Sequence, residues 1–290
     1  MKSSQPWLPE CEISPAEAAT LIDAQFPDLA PARVEPLAAG WDNTAFRVND
    51  EWVFRFPRRR FGAEALAHEL RALPSIAGRL PLPVPEPRWV GRWGDRPFVG
   101  HRSIAGRAAL GLDEAARHRA AEPLGGFLRA LHALDAEAPG DELGRLDLRT
   151  RVPRALELLD RAAGLLDDPA PLLRIVEEAA PAPAKAVLVH GDLYALHLLV
   201  DEAGALTGVI DWGDVHWSNP AADLMVAHAW LPPSAHAAFR GAYGLIDEAT
   251  WTLARFRALH HTLNVLLYAH ETGRVELERE ARTAVGFLSS

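Results

Sequence analysis

The sequence has one cysteine, few lysines and no long hydrophobic run. Cys11 has no second cysteine to pair with, which argues against a secreted fold held together by disulfides. The first seven residues lack the apolar stretch of a signal peptide. Nowhere do about 18 apolar residues follow one another, as a membrane-spanning helix requires. These absences predict a cytoplasmic protein that does not enter a membrane.

The charge is acidic and unevenly distributed, and only Lys2 and Lys185 among the 30 basic residues are lysines. Residues 1–100 carry 12 basic and 13 acidic side chains, whereas residues 101–290 carry 18 and 26. Nucleic-acid binding requires a basic surface, so we expect no nucleic-acid partner. The acidic second part favours a cationic or metal-bridged ligand, or serves solubility alone.

The pattern of apolar residues changes from strands to helices along the chain. After a helix over 15–26, the sequence predicts strands at 33–38, 44–48, 52–56, 88–92 and 97–104, with a helix over 61–73. Helices are then predicted over 113–135, 150–165, 221–231, 234–243, 248–271 and 275–288, with short strands near 186–189, 197–200 and 206–210. This order indicates an α+β fold with a small antiparallel-sheet N-lobe (1–100), a hinge (101–106) and a larger helical C-lobe (107–290).

Two aspartates each follow a short apolar strand. Asp192 ends the run Val-Leu-Val-His-Gly-Asp, and Asp211 lies 19 residues later in Ile-Asp-Trp, after a hairpin turn at 201–204. An aspartate just past a strand end is held by buried backbone and open to a cleft. Two such carboxylates suit phosphoryl transfer, in which one orients the attacking hydroxyl and the other holds Mg²⁺ against the nucleotide phosphates.

This segment resembles the catalytic and metal-binding loops of the aminoglycoside phosphotransferase and choline kinase superfamily, small-molecule kinases with a protein-kinase-like fold. The resemblance implies that Asp192 is the catalytic base and Asp211 the principal Mg²⁺ ligand. The family pattern is His-Gly-Asp, four residues, then Asn, and here His197 stands in the Asn place. Macrolide phosphotransferases are similar at this position. His197 is expected to be a second metal ligand or to hydrogen-bond the Asp192 side.

Three nearby residues are expected to support these aspartates. His190 reads as a hydrogen-bonded brace, with a proton shuttle as the alternative. Asp214 either assists the metal or caps the next turn. Asp223 resembles the family aspartate that braces the catalytic loop, and its place at the start of a helix favours a structural role.

The N-lobe is expected to bind the nucleotide. Where the superfamily has a strand lysine that clamps the phosphates, this chain has Arg55, whose guanidinium binds phosphate in a fork. Glu69 lies on the apolar stripe of its helix, between Leu66 and Leu73, where a carboxylate needs a partner. Arg55 is the best candidate, and a surface ion pair is the alternative.

Two further segments take their expected roles from the resemblance. The loop that contains Gly40, Trp41 and Asn43 should cover the phosphates, although its single glycine makes it neither a P-loop nor a full Gly-x-Gly-x-x-Gly. Segment 98–104, with His101, falls at the hinge that would bind the purine of ATP or GTP through its backbone.

The sequence therefore predicts a phosphotransferase that moves the γ-phosphate of a nucleoside triphosphate to a hydroxyl of a small molecule. An antibiotic is the leading acceptor: the acidic C-lobe fits an aminoglycoside, whereas His197 and the tryptophans at 212, 217, 230 and 251 fit a macrolide. The alternatives are a metabolite kinase for an amino alcohol or sugar, and a nucleotide-binding pseudokinase scaffold. A protein kinase is disfavoured because only eight positions separate Asp211 from Pro220, too few for an activation loop.

Overall fold

The N-terminal part of the chain is built on one antiparallel sheet with the strand order β1-β2-β3-β5-β4. A computed structural model describes residues 9–290, so the first eight residues of the predicted N-lobe lie outside the described residues. The strands are β1 (Val34–Ala39), β2 (Asn43–Val48), β3 (Trp52–Pro57), β4 (Pro87–Trp93) and β5 (Arg96–Arg102). Helices α1 (Pro15–Gln25) and α2 (Arg60–Ile76) pack on this sheet.

Helix α1 begins at a capping box and covers an aromatic core. The Ser14 hydroxyl accepts a hydrogen bond from the Glu17 N–H at 3.2 Å, and the Glu17 carboxylate accepts one from the Ser14 N–H at 2.9 Å. Ile22 then packs in one buried cluster with Phe54 and Phe98 of the sheet. The face of β3 that carries Phe54 is thus filled, and the alternation of the strand turns the neighbouring residues towards α2.

The C-terminal part is mainly helical. Its helices are α3 (Glu114–His132), α4 (Leu148–Ala162), α5 (Ala170–Glu177), α6 (Ala221–Trp230), α7 (His236–Tyr243), α8 (Glu248–Thr272) and α9 (Val275–Ser289). Single turns of 3₁₀ helix occupy 27–29, 163–165 and 233–235. The predicted α+β fold, an antiparallel sheet followed by a helical part, is confirmed.

Two small sheets cross the helical part and carry the segments of chemical interest. One pairs β7 (Val187–Val189) with β10 (His216–Ser218), and the other has the order β6 (Arg107–Ala108), β8 (Leu198–Val200), β9 (Leu206–Val209). The predicted strands at 186–189, 197–200 and 206–210 are therefore present, and β6 and β10 are additions to the prediction. Among residues 9–290, no helix has the length and apolar character needed to cross a membrane.

Candidate active site

Asp192 and Asp211 follow β7 and β9, one strand from each small sheet. Asp211 has a φ of 66°, in the left-handed region that few residues other than glycine adopt. Its side chain is 46% exposed, and that of Asp192 is 29% exposed. Both carboxylates are therefore reachable by a ligand, although their main chain is anchored in buried sheet.

One imidazole ring stands between the two aspartates. His197 Nε2 lies 3.3 Å from Asp211 Oδ2. Its Nδ1 lies 2.7 Å from the main-chain oxygen of Asp192 and 3.8 Å from Asp192 Oδ2. Because two nitrogens of a single ring reach both residues, the aspartates face a common site, as the sequence pattern predicts. Their catalytic roles stay predictions.

The charges of this trio are mutually stabilising. Burial disfavours a charge on His197, but Asp211 and Asp192 outweigh it and raise the pKa of the imidazole to about 9. Burial likewise opposes the charge of Asp211, yet His197 and Arg55 hold the pKa of that carboxyl well below its usual range. For Asp192, burial dominates and raises the pKa of the carboxyl. Asp192 is thus the more basic carboxylate of the two.

A buried carboxylate fixes the main chain before Asp192. Asp223, in the first turn of α6, accepts hydrogen bonds from the N–H groups of His190 (2.7 Å) and Gly191 (2.8 Å), and His132 Nε2 lies 3.2 Å away. Gly191 has a φ of 84°, and a Cβ there would meet the main-chain oxygen of Asp214 at 2.4 Å. Asp223 therefore braces the loop, as the resemblance implies.

His190 links the two aspartate-bearing loops. Its Nε2 donates to the Ile210 carbonyl at 3.0 Å, since a carbonyl can only accept, and its Nδ1 accepts from the Asp192 N–H at 3.3 Å. Burial lowers the pKa of this ring, which keeps it neutral. These bonds occupy both nitrogens, which favours the brace over the proton shuttle.

Asp214 is engaged by an arginine. Its Oδ1 lies 2.7 Å from Arg145 Nη2, and its main-chain oxygen accepts from His216 Nδ1 at 2.6 Å. The ion pair draws the Asp214 side chain towards the segment at 141–145. A part in metal binding stays a prediction.

A buried ion pair lies beside Asp211. Arg55 donates to Glu69 through both terminal nitrogens, at 3.2 and 2.7 Å, and Arg55 Nη2 lies 3.8 Å from Asp211 Oδ1. Burial opposes the guanidinium charge, but the carboxylates of Glu69 and Asp211 outweigh it and raise the pKa of Arg55. The pair between Arg55 and Glu69 expected from the sequence is thus present and buried, not on the surface.

The loop between β1 and β2 reaches over the site to the C-terminal part. Trp41 packs edge-to-face on Tyr268 of α8, with ring centroids 4.7 Å apart. The Gly40 N–H donates to the Asn43 carbonyl at 2.9 Å. Asn43 Oδ1 is buried without a hydrogen-bond partner in residues 9–290. The loop is therefore placed to cover a bound phosphate chain, a role that stays a prediction.

His101 lies within the sheet and not in a connecting segment. It belongs to β5, opposite Val53 of β3 and Pro87 of β4, and it is 5% exposed. Burial lowers the pKa of its ring to about 4. The predicted hinge at 101–106 thus begins inside a strand, and purine binding at His101 stays a prediction.

The sequence patterns do not predict several side chains that lie next to the site. His261 Nδ1 lies 3.7 Å from Asp192 Oδ1, and Arg257 lies one turn earlier on α8. Together with His132 and Arg145, they come from segments far in sequence from the loop that carries Asp192. For the three that lie on helices, the signal is a polar residue inside an apolar helix pattern, whereas Arg145 lies in a turn and gives no such signal. Two of the four tryptophans that the sequence analysis considered for a macrolide, Trp212 and Trp230, are fully buried in the core, so their side chains line no open surface.

The donor set around Asp211 suits a hard cation only in part. Carboxylate oxygen is the ligand that Mg²⁺ prefers, and the half-exposed Asp211 offers it. Residues 9–290 contain no cluster of three or more His, Cys, Asp or Glu side chains arranged to hold a metal. Asp211 therefore fits a Mg²⁺ that brings further oxygen ligands, such as nucleotide phosphates and water.

Comparison with known proteins matches the chain to a protein family. A family model described as "Phosphotransferase enzyme family" matches residues 33–259. An uncharacterized protein of Bacillus subtilis (strain 168), YcbJ, is 26% identical over 192 residues, which make up 60% of this chain and 61% of that protein. The chain thus matches less than two thirds of the length of this curated relative.

Solved structures resemble the chain over nearly its whole length. The GDP complex of aminoglycoside 2'-phosphotransferase-IIIa has a TM-score of 0.72 and 25% identity, and the match covers 96% of this chain and 99% of that one. The apoenzyme of macrolide 2'-phosphotransferase MphH from Brachybacterium faecium has a TM-score of 0.60 and 26% identity, with 92% and 97% covered.

Proposed function

The chain belongs to the phosphotransferase enzyme family, and we propose that it is a kinase that transfers the γ-phosphate of a nucleoside triphosphate to a hydroxyl group of a small molecule. The observation that carries this proposal is the placement of Asp192 and Asp211 on either side of the His197 ring. Arg55, 3.8 Å from Asp211, adds a fixed positive charge on the phosphate side.

Asp192 acts on the acceptor hydroxyl. Its side chain is open to the site, its pKa is raised by burial, and its main chain is anchored by His190 and His197. As the hydroxyl oxygen attacks the γ-phosphorus, its proton passes to the Asp192 carboxylate. Phosphoryl transfer depends mainly on positioning and charge stabilisation, and this rigid loop provides the positioning.

Arg55 and Asp211 act on the nucleotide. Arg55, oriented by Glu69, is placed to bind phosphate oxygens with a charge that burial does not remove. Asp211 would hold Mg²⁺, which neutralises phosphate charge and keeps the chain of phosphates in one orientation. The loop at 40–43 would close over the phosphates and exclude water.

The donor is ATP or GTP. The aminoglycoside enzyme similar in structure was solved with GDP, which supports a nucleotide donor in this chain too. A direct comparison of turnover with the two triphosphates decides between them.

The acceptor predicted from the sequence is an antibiotic, and similarity to an aminoglycoside and a macrolide phosphotransferase supports testing these classes first. Expression in a susceptible bacterium, followed by challenge with each class, provides that test. Growth under one class would identify the acceptor, and sensitivity to all would favour the metabolite alternative, an amino alcohol or a sugar.

Nucleotide turnover tests the activity itself. We expect purified protein with Mg²⁺ to hydrolyse ATP or GTP slowly without an acceptor, and Asp192→Asn to reduce this rate by about 10² to 10⁴-fold, the usual contribution of a general base. Asp211→Ala should abolish turnover and weaken Mg²⁺-dependent nucleotide binding. Asp201→Asn, in the exposed turn between β8 and β9, is the matched control and should retain the wild-type rate.

The rival scaffold function predicts a different result. A pseudokinase would bind nucleotide. It would show no turnover of that nucleotide with any acceptor in a broad panel. Turnover unchanged in Asp192→Asn would contradict the proposed role of that carboxylate even if the protein were active.

A further inference from the structure

The acceptor side of the site contains an arginine without a partner. Arg257 of α8 is 6% exposed, and its Nε is buried without a hydrogen-bond partner. In residues 9–290, no carboxylate oxygen lies within 4 Å of its guanidinium nitrogens. A buried cation without a contacting counter-ion is unfavourable, and burial lowers the pKa of Arg257 to about 10 although the charges of Asp192 and Asp214 oppose that shift.

The position of Arg257 on its helix turns it towards Asp192. Residues four apart lie on one face of an α-helix, and His261, four residues after Arg257, has its Nδ1 3.7 Å from Asp192 Oδ1. The charges of Arg145 and Asp192 both act on Arg257, which places the three groups in one neighbourhood. An acceptor whose hydroxyl reaches Asp192 would therefore lie beside Arg257.

The carboxylates of this neighbourhood already have cationic or imidazole neighbours. Asp214 is paired with Arg145 at 2.7 Å, and Asp192 lies within 3.8 Å of His197 and 3.7 Å of His261. Arg151, also nearby, donates to the main-chain oxygen of Gly144 at 3.0 Å. Arg257 is thus a buried cation of this neighbourhood that contacts no carboxylate, and a negatively charged group bound beside it would supply the missing partner.

We propose that the acceptor carries an anionic group, a carboxylate or a phosphate ester, which Arg257 binds while Asp192 engages the hydroxyl. This inference rests on the proposed kinase activity of the same site, and it favours the metabolite alternative over the aminoglycoside and macrolide acceptors. In the reaction, the acceptor oxygen forms a bond to the γ-phosphorus, and the bond from that phosphorus to the bridging oxygen breaks. The hydroxyl proton goes to Asp192, and the nucleoside diphosphate leaves.

Binding of simple anions tests the proposal without requiring turnover. We would titrate malonate and methyl phosphate separately, by calorimetry, into the protein saturated with Mg²⁺ and ADP, so that the nucleotide site is filled. At least one anion should bind the wild type, and Arg257→Gln should weaken it about tenfold or more, as expected for loss of a charged hydrogen bond. Arg257→Lys should restore part of the affinity. Arg154→Gln, on the exposed side of α4, is the control and should bind as the wild type does.

A stability measurement separates binding from folding. Arg257→Met removes the unpaired charge and keeps a long apolar stem, so we expect a higher melting temperature than the wild type in anion-free buffer. Anions should then raise the melting temperature of the wild type but not of this variant. Equal anion affinity in the wild type and Arg257→Gln, or binding of kanamycin and of neither anion, would overturn the inference.

The outcomes also distinguish this inference from the proposed function. A protein that binds anions through Arg257 but never turns over nucleotide would contradict the kinase activity alone. An active kinase that binds neither anion would contradict the anionic acceptor alone. Malonate binding without methyl phosphate binding would identify a carboxylate, and the reverse a phosphate ester.

Discussion

At the scale of single residues, His197 occupies the position where the resemblance places asparagine, and both of its ring nitrogens are engaged. Nδ1 faces the main-chain oxygen of Asp192 at 2.7 Å, and Nε2 faces Asp211 Oδ2 at 3.3 Å. In this arrangement the ring positions the two aspartates. Of the two roles expected from the sequence, the geometry favours the hydrogen bond to the Asp192 side over nitrogen coordination of a metal.

We predict that His197→Asn lowers turnover about tenfold, the effect of losing one charged hydrogen bond, without changing the order of preference among Mg²⁺, Mn²⁺ and Co²⁺. Steady-state turnover with each ion at saturation is the measurement, and His270→Asn, at an exposed position of α8, is the control. Imidazole favours transition metals over Mg²⁺. A shift of the variant towards Mg²⁺ would therefore show that His197 is a metal ligand.

A second prediction concerns Arg55 and Glu69. Glu69→Gln leaves a buried guanidinium without its main counter-charge, so we expect a loss of about 3–5 kcal/mol in the free energy of unfolding, measured with urea. The double variant Arg55→Met/Glu69→Leu removes both charges and should be more stable than Glu69→Gln. Its nucleotide affinity, measured by calorimetry, should remain low. Wild-type affinity in the double variant would show that the pair is structural only.

At the scale of secondary-structure elements, the loop between β1 and β2 is held to α8 and to the turn after it. Trp41 packs on Tyr268, and Arg274 donates to the Ala39 carbonyl at 3.1 Å while its guanidinium lies 5.4 Å from the Tyr268 ring centroid. These contacts join the predicted phosphate-covering loop to the part of the chain that carries Asp192.

We predict that Trp41→Ala raises the dissociation constant for nucleotide by about 2- to 10-fold, since an aromatic pair is worth roughly 0.5–1.5 kcal/mol. The off-rate, measured by stopped flow with a fluorescent nucleotide, should rise correspondingly. Leu37→Ala, at an exposed position of β1, should leave both quantities unchanged. An unaltered off-rate in Trp41→Ala would mean that the loop does not retain nucleotide.

The sequence was informative where a signal is local. Alternation in β3 predicts which face carries Phe54 and which carries Arg55, and the capping box predicts the start of α1. Helix α5 was not predicted because Pro169 and Pro171 at its start resemble a loop, although proline is well tolerated in the first turn of a helix. Strand β10 has only three residues, and its identity depends on pairing with β7, nearly thirty positions earlier. The placement of Arg257 beside Asp192 depends in the same way on how α8 packs.

At the scale of the whole molecule, net charge proves a poor guide to the charge of the site. The acidic excess of residues 101–290 favoured a cationic ligand, yet acidic side chains of this part are engaged elsewhere. Glu280 forms a buried ion pair with Arg117 at 2.8 Å, Glu271 pairs with Arg161, and Asp223 braces the loop that carries Asp192. The neighbourhood of Asp192 instead includes Arg145 and the unpaired Arg257.

The whole molecule should lose stability in mild acid, because each part contains a histidine that the fold keeps neutral. Burial lowers the pKa of His101, in the N-terminal sheet, to about 4 and that of His260, in α8, to about 3. These values lie below the usual 6.5, so the unfolded chain binds protons first as the pH falls. The stability present above pH 6.5 is therefore lost between about pH 6.5 and the folded pKa, by roughly 2–3 kcal/mol per histidine at pH 4.5. Urea denaturation at pH 7 and 4.5 measures this loss in the free energy of unfolding. The loss should be smaller in His101→Gln by the contribution of one histidine. In the control His118→Gln, at an exposed position of α3, the loss should equal that of the wild type. An identical pH dependence in the wild type and His101→Gln would show that His101 takes up its proton without unfolding.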